Sequence, residues 1–179
     1  VTVIPYIHAS CVEKDGRGIL LKGHSGAGKS SFALALINRG FTLVADDQVL
    51  ASAKDDRLLA EPADALKGLL EVRGVGLLRM RYSPSCQIQV LIDLVPGFRS
   101  ERLPSPKTQL LHGLPIRSFQ INPMDPRSIE KVLVLFHPDF QGFYESESGN
   151  QILESRIQNL ESRSESRSES RFRILDSGF

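Results

Sequence analysis

The chain has 179 residues, with 22 Lys plus Arg against 21 Asp plus Glu and a formal net charge of +1. That length allows a domain with a real hydrophobic core, and the near-neutral balance gives no electrostatic reason to expect nucleic acid or an anionic membrane as partner. Two cysteines, Cys11 and Cys86, make no disulfide framework and point to a reducing cytoplasm; no apolar run approaches the roughly 18 residues of a membrane span, and no signal peptide is read.

In chain order, residues 1–12 read as a strand region and 18–22 as another, with Asp15-Gly16 as a two-residue hairpin loop between them. If Lys14 pairs with Arg17, His8 falls opposite Gly23. Residues 30–39 ("SSFALALINR") have helical spacing of Phe32, Leu34, Ala35 and Leu36, and Gly40 suits the helix C-terminus. "FTLVA" is a short strand ending at Asp46 and Asp47. Residues 49–59 read as a further strand and turn, 62–70 as a short helix, and "LLEVRGVGLLRM" as a segment punctuated by Gly74 and Gly76. "IQVLIDLV" (88–95) is a strand. The stretch 96–126, rich in Pro and basic residues, yields no assignment. Residues 126–136 read as a helix, with Asp125 as N-cap, Pro126 as first helical residue, and Ile129, Val132, Leu133 and Phe136 on one face; His137-Pro138 ends it. From about residue 144 the composition turns to Ser, Glu and Arg. In "RSESRSESR" a helix would stack like charges at i,i+4, and a strand would have nothing apolar to bury. The expected organisation is a domain over 1–143 and a disordered tail over 144–179.

"GHSGAGKS" (Gly23, His24, Ser25, Gly26, Ala27, Gly28, Lys29, Ser30) fits the phosphate-binding pattern G-x-x-x-x-G-K-[ST]. Glycines in such a loop let backbone N–H groups converge on phosphate oxygens, and the following helix adds its positive end. Lys29 would reach the β- and γ-phosphates, and the Ser30 hydroxyl would ligate Mg²⁺. The pattern follows a strand and opens a helix, as that chemistry requires. If strands 19–22 and 41–45 run parallel, the helix between them is the crossover and both C-terminal ends reach one sheet edge. The phosphates then meet Asp46 and Asp47 there. One carboxylate can handle Mg²⁺ or its waters while the other accepts a proton from a nucleophile. The hairpin register brings His8 to the same place.

"IHASCV", "GHSGAGKS", "FTLVADD" and "LLEVRGVGLL", in that order, resemble the C-terminal catalytic domain of the HPr kinase/phosphorylase family over about residues 7–135. The resemblance implies an α/β fold with a P-loop core and mixed sheet, related to phosphoenolpyruvate carboxykinase, and a hexameric assembly. It implies transfer of phosphate from ATP, with Mg²⁺, to a seryl hydroxyl of the phosphocarrier protein HPr, and removal of that phosphate by phosphorolysis. Carried over by position, Asp46 is the general base, with Lys29 and His8 in the active site. Glu71 helps bind Mg²⁺ beside Ser30, Asp47 is left to the metal or its waters, and "SERLP" suggests Arg102 as an active-site arginine. Glu71 and Arg73 share a face if their segment is extended. The longer family members carry a further N-terminal domain, and this chain is similar to the short proteobacterial type.

Two departures stand out. Ser31 occupies a position that is commonly acidic in the family. The stretch "SFQINPMDPR" stands where long-form members have a "PVRPGR"-like segment tied to dephosphorylation, which bears on the reverse reaction more than on the forward one. Two other readings remain open: a P-loop kinase of a small metabolite, which would call for an Arg-rich lid that is not seen, and a nucleotide-sensing module without catalysis, which would not need the acidic pair or Lys29.

Overall fold

The structure is a computed structural model, and it describes residues 6–102, 104 and 107–143. The expected tail, 144–179, lies outside the described residues, as do residues 1–5. Contacts divide the chain into a unit spanning 1–138 and a second spanning 139–179, of which 139–143 are described. All that follows concerns the first unit.

The chain opens with the hairpin β1 (Ser10–Lys14) and β2 (Arg17–Lys22). Asp15 and Gly16 adopt φ of 55° and 76°, the left-handed pair that a two-residue loop needs. The register is the expected one: Lys14 faces Arg17 and Ser10 faces Leu21. The strand is shorter than expected at its start. Ile7 makes only an isolated bridge to Val49, so His8 lies just ahead of β1 rather than within it. Helix α1 (Lys29–Ile37) follows, and Gly40, at φ 91°, turns the chain into β3 (Thr42–Ala45).

β4 (Val49–Lys54) and β5 (Arg57–Pro62) form a second hairpin over Asp55 and Asp56, both with positive φ. The expected helix over 62–70 reduces to one 3-10 turn, Asp64–Leu66. Gly68 ends it: φ is 70° there, and a side chain would come within 2.8 Å of the Met80 carbonyl. β6 (Leu69–Val72) and β7 (Gly76–Arg79) then make a separate two-stranded sheet, in which Glu71 faces Leu77. Arg73 sits in the turn between them, so the extended face it was to share with Glu71 stops short of it.

β8 (Cys86–Leu94) covers the expected strand. The unassigned stretch contains β9 (Lys107–Leu111) and β10 (Leu114–Ile121). Their loop is His112-Gly113, a less common pair for φ of 48° and 81°, and Pro115 lies ahead of the part of β10 that pairs with β8. Helix α2 (Ser128–Leu133) starts two residues later than expected. The Asp125 carboxylate accepts from the Arg127 N–H at 3.0 Å, and the Asp125 carbonyl from the Ser128 N–H at 2.9 Å. Asp125 and Pro126 thus form a turn before the helix rather than its first residues. A 3-10 turn, Val134–Phe136, extends α2, and His137 leaves it in extended conformation.

The main sheet runs β3-β1-β2-β8-β10-β9, with β5 also pairing β8. It is mixed: β2–β8 and β8–β10 are parallel, while β1 is antiparallel to both its neighbours. β2 and β3 therefore point the same way, as the crossover requires, with β1 inserted between them. Both sheet faces are covered. Ile19, Leu21, Val90, Ile92 and Leu94 pack with Phe32 and Leu36 of α1 and Val132 and Phe136 on the other helical segment. The opposite face packs Cys11, Leu20, Val44 and Leu91 against Val49, Ala51, Leu58 and Ala60 of the β4–β5 hairpin. Strands buried on both faces read as continuous apolar runs, which is why "GILL" and "VLID" show no alternation.

Candidate active site

Four chain segments converge at the edge where β2 and β3 end. β2 runs into the loop Gly23–Gly28, and the Ala27 N–H closes it by donating to the His24 carbonyl at 3.0 Å. Gly23 is needed because a Cβ there would lie 2.8 Å from the Leu94 carbonyl and 2.9 Å from Ala27 Cβ. Gly28 takes φ 93°, and Lys29 starts α1. β3 delivers Asp46 and Asp47, β1 begins at Ser10 just after His8, and β6 brings in Glu71.

Asp46 is 5% exposed and accepts three hydrogen bonds. Its Oδ1 accepts from the Ser10 hydroxyl at 2.5 Å and from the Ser30 hydroxyl at 2.9 Å. Its Oδ2 accepts from the Glu71 N–H at 3.3 Å. Donors on both oxygens hold the carboxylate in one orientation. Asp47 has the opposite surroundings. Its backbone is left-handed, φ 65°, its side chain is 63% exposed, and its Oδ1 lies 2.9 Å from His8 Nδ1.

Lys29 is buried, yet its Nζ meets three acceptors: His8 Nε2 at 3.0 Å, the Gly23 carbonyl at 3.1 Å and the His24 carbonyl at 3.2 Å. An ammonium has only donors, so the bond to His8 makes Nε2 the acceptor and places the ring proton on Nδ1, facing Asp47. Asp47, His8 and Lys29 thus form one run of polar contacts ending at the phosphate loop. His8 does touch the loop region, through Lys29 rather than through strand register.

The structure brings together His8, the loop Gly23–Ser30, Asp46, Asp47 and the backbone of Glu71. Arg102 sits exposed in the connection between β8 and β9, which leaves the sheet from the same edge because β8 is parallel to β2. Ser10 is the site residue that sequence reading missed. It is fully buried and donates to Asp46, and its signal was only a hydroxyl two positions beyond His8 in "IHAS".

Among the described residues no group of three or more His, Cys, Asp or Glu could hold a metal ion by itself. The Ser30 hydroxyl and the Asp46 carboxylate, joined at 2.9 Å, both face the end of the phosphate loop. Also among the described residues, no helix is long and apolar enough to cross a membrane.

A family model described as the HPr Serine kinase C-terminal domain matches residues 2–133. The HPr kinase/phosphorylase of Streptococcus gordonii is 33% identical over 173 residues, covering 89% of this chain and 55% of that protein. The one from Streptococcus salivarius is 31% identical over 166 residues, covering 86% and 54%. The chain therefore spans about half the length of these curated relatives. A solved structure, the Hpr(Ser) kinase/phosphatase from Coxiella burnetii, matches with a TM-score of 0.65 at 22% identity, covering 74% of this chain and 95% of that one. That likeness is one of fold, and it agrees with the expected P-loop core and mixed sheet.

Proposed function

The chain belongs to the family of HPr serine kinase C-terminal domains, and from that premise we propose that it is an ATP- and Mg²⁺-dependent protein kinase that phosphorylates HPr on serine. The observation that carries the reading is the run of polar contacts from Asp47 through His8 to Lys29, next to a metal-side pair, Ser30 and Asp46. A structural P-loop would have no use for a carboxylate–imidazole–ammonium chain ending at its lysine.

We assign the two carboxylates in the reverse of the order implied by the family resemblance. Asp46, enclosed by Ser10, Ser30 and Glu71, is on the metal side. Ser30, Asp46 and the Glu71 side chain would hold Mg²⁺, which spreads the charge of the transferring phosphoryl group. Asp47, half out of the protein, is where a seryl hydroxyl of another protein can reach a proton acceptor. His8 holds Asp47 on one side and Lys29 on the other, so acceptor and phosphate-binding ammonium keep a fixed spacing. The loop N–H groups and Lys29 bind the phosphates. Arg102 is proposed to reach the same edge from the β8–β9 connection. The forward direction is the one proposed, because "SFQINPMDPR" lacks the segment tied to dephosphorylation in longer members. A cytoplasmic location and a homo-oligomer, a hexamer by family resemblance, complete the proposal.

The test is incubation with γ-labelled ATP, Mg²⁺ and purified HPr, followed by phosphosite mapping. Label on one HPr serine is expected. Label appearing only on a small metabolite, or nucleotide binding without any transfer, would replace this reading with one of the two alternatives.

A further inference from the structure

The order of the sheet gives the bound nucleotide a direction. Asp46 and Ser30 lie toward β3, on one side of the P-loop strand β2, while β8 and β10 lie on the other. The metal-bound end of a nucleoside triphosphate faces the metal-side carboxylate. On the side of the loop away from the metal, the base at the other end of the same molecule meets the loops that follow β8 and β10. These loops are joined to each other. The Val95 N–H donates to the Ile121 carbonyl at 2.9 Å, and the Gly97 N–H to the Asn122 side-chain oxygen at 3.2 Å.

The turn after β10 is built rather than loose. Asn122 Oδ1 also accepts from the Met124 N–H at 3.1 Å, and the Asn122 carbonyl accepts from the Ser128 hydroxyl at 2.6 Å and the Asp125 N–H at 3.1 Å. The turn abuts the phosphate loop: a Cβ placed on Gly28 would lie 3.9 Å from Pro123 Cβ. At its tip Met124 is 77% exposed among the described residues, a large apolar side chain on a hydrogen-bonded support. A methionine side chain fits irregular apolar surfaces, and its thioether makes favourable contacts with aromatic rings.

We infer that the turn Asn122–Asp125 is the base platform of the nucleotide site, with Met124 and Pro123 against the face of the adenine and Asn122 fixing their position. This rests on the proposed nucleotide-dependent kinase reading. It gives "SFQINPMDPR" a role in binding. The platform reads the flat face of a base, and the Met124 and Pro123 side chains present no edge pattern of donors and acceptors.

The test compares equilibrium binding of ATP and of inorganic tripolyphosphate, each with Mg²⁺, to the intact chain and to Met124→Ala. Tripolyphosphate occupies the phosphate cradle and has no base. The expected result is an ATP affinity lowered about two- to tenfold, the range of a thioether–ring contact, with tripolyphosphate unchanged. Asn122→Ala, which frees the Gly97 and Met124 N–H groups, should show the same selective loss. Unchanged ATP affinity in both variants, or equal weakening of both ligands, would overturn the inference. Wild-type protein that binds tripolyphosphate but gains nothing from the base would overturn it while sparing the phosphate cradle. Wild-type protein that binds neither would overturn the nucleotide reading and the platform with it.

Discussion

Changing Asp46 and Asp47 separately to Asn should give two different defects. At position 46, Asn keeps the shape and one oxygen. If that oxygen stays with the Ser10 and Ser30 hydroxyls, the new NH₂ group faces the Glu71 N–H, and the bond of 3.3 Å is lost. Hydrogen bonds to a charged group contribute about 1.5–3 kcal/mol each. The long one sits at the low end, and the two kept bonds weaken as the charge goes. Asp46→Asn should therefore lose about 1–3 kcal/mol of stability and require more Mg²⁺ for activity. At position 47 the backbone is left-handed, which Asn tolerates, and the amide oxygen can still accept from His8 Nδ1. Folding should be unaffected, while transfer at saturating ATP and Mg²⁺ falls about 10²–10⁴-fold, the usual contribution of a general base. Urea denaturation of both variants and Mg²⁺ titrations of the transfer rate make the comparison. If Asp47→Asn keeps its rate at saturation and Asp46→Asn alone loses it at every Mg²⁺ concentration, the reversed assignment is wrong and Asp46 is the proton acceptor.

Lys29→Ala should abolish transfer to HPr, since it removes the charge at the loop and the anchor of His8; near-normal activity would remove the phosphate-binding role of Gly23–Ser30. Gly18→Ala should cost about 1–3 kcal/mol by overpacking, because its Cβ would lie 2.4 Å from Cys86 Sγ and 3.0 Å from the Gln87 carbonyl. Adding Cys86→Ala should recover part of the loss, and a neutral Gly18→Ala in urea denaturation would contradict the packing. Cys11 and Cys86 lie 3.7 Å apart, and contact with Cys86 and burial push the Cys11 thiol well above its ordinary value. Neither should react with a thiol reagent until the protein is unfolded, and rapid native-state labelling of both would show that the sheet opens at β1.

The parts legible in the sequence were those set by local rules. The Asp15-Gly16 pair let the β1–β2 register be read, and the glycine pattern before Lys29 marked a loop whose backbone must approach phosphate. The β9–β10 hairpin was hidden because its loop is His112-Gly113 and Pro115 interrupts the apolar run. Asp46 and Asp47 could not be told apart, since identical neighbours differ only in what folds around them. Ser10 and Glu71, distant in sequence, enclose one, and the left-handed backbone turns the other outward. The importance of Ser10 was equally invisible, because a strand serine becomes a site residue only when another strand brings a carboxylate to it.

One further experiment asks what holds β1 in place, since β1 carries Ser10 and follows directly on His8. Inserting a glycine between Asp15 and Gly16 leaves two options. The chain can keep a two-residue loop and slide β1 by one position, or keep the register and absorb the residue as a three-residue loop. Sliding would put Glu13 opposite Ile19, in the place of fully buried Val12. A carboxylate there has no partner, and burying one costs several kcal/mol. Sliding would also break the pairing of Cys11 with Ala45 and carry Ser10 away from Asp46. A three-residue hairpin loop costs far less. The insertion should therefore leave transfer to HPr nearly intact, with a small loss of stability. If the inserted protein folds but loses transfer, and Ser10→Ala then causes no further loss, β1 has slipped. The two-residue loop, rather than the packing of Val12 and Cys11 on opposite faces, would be what sets the active-site geometry.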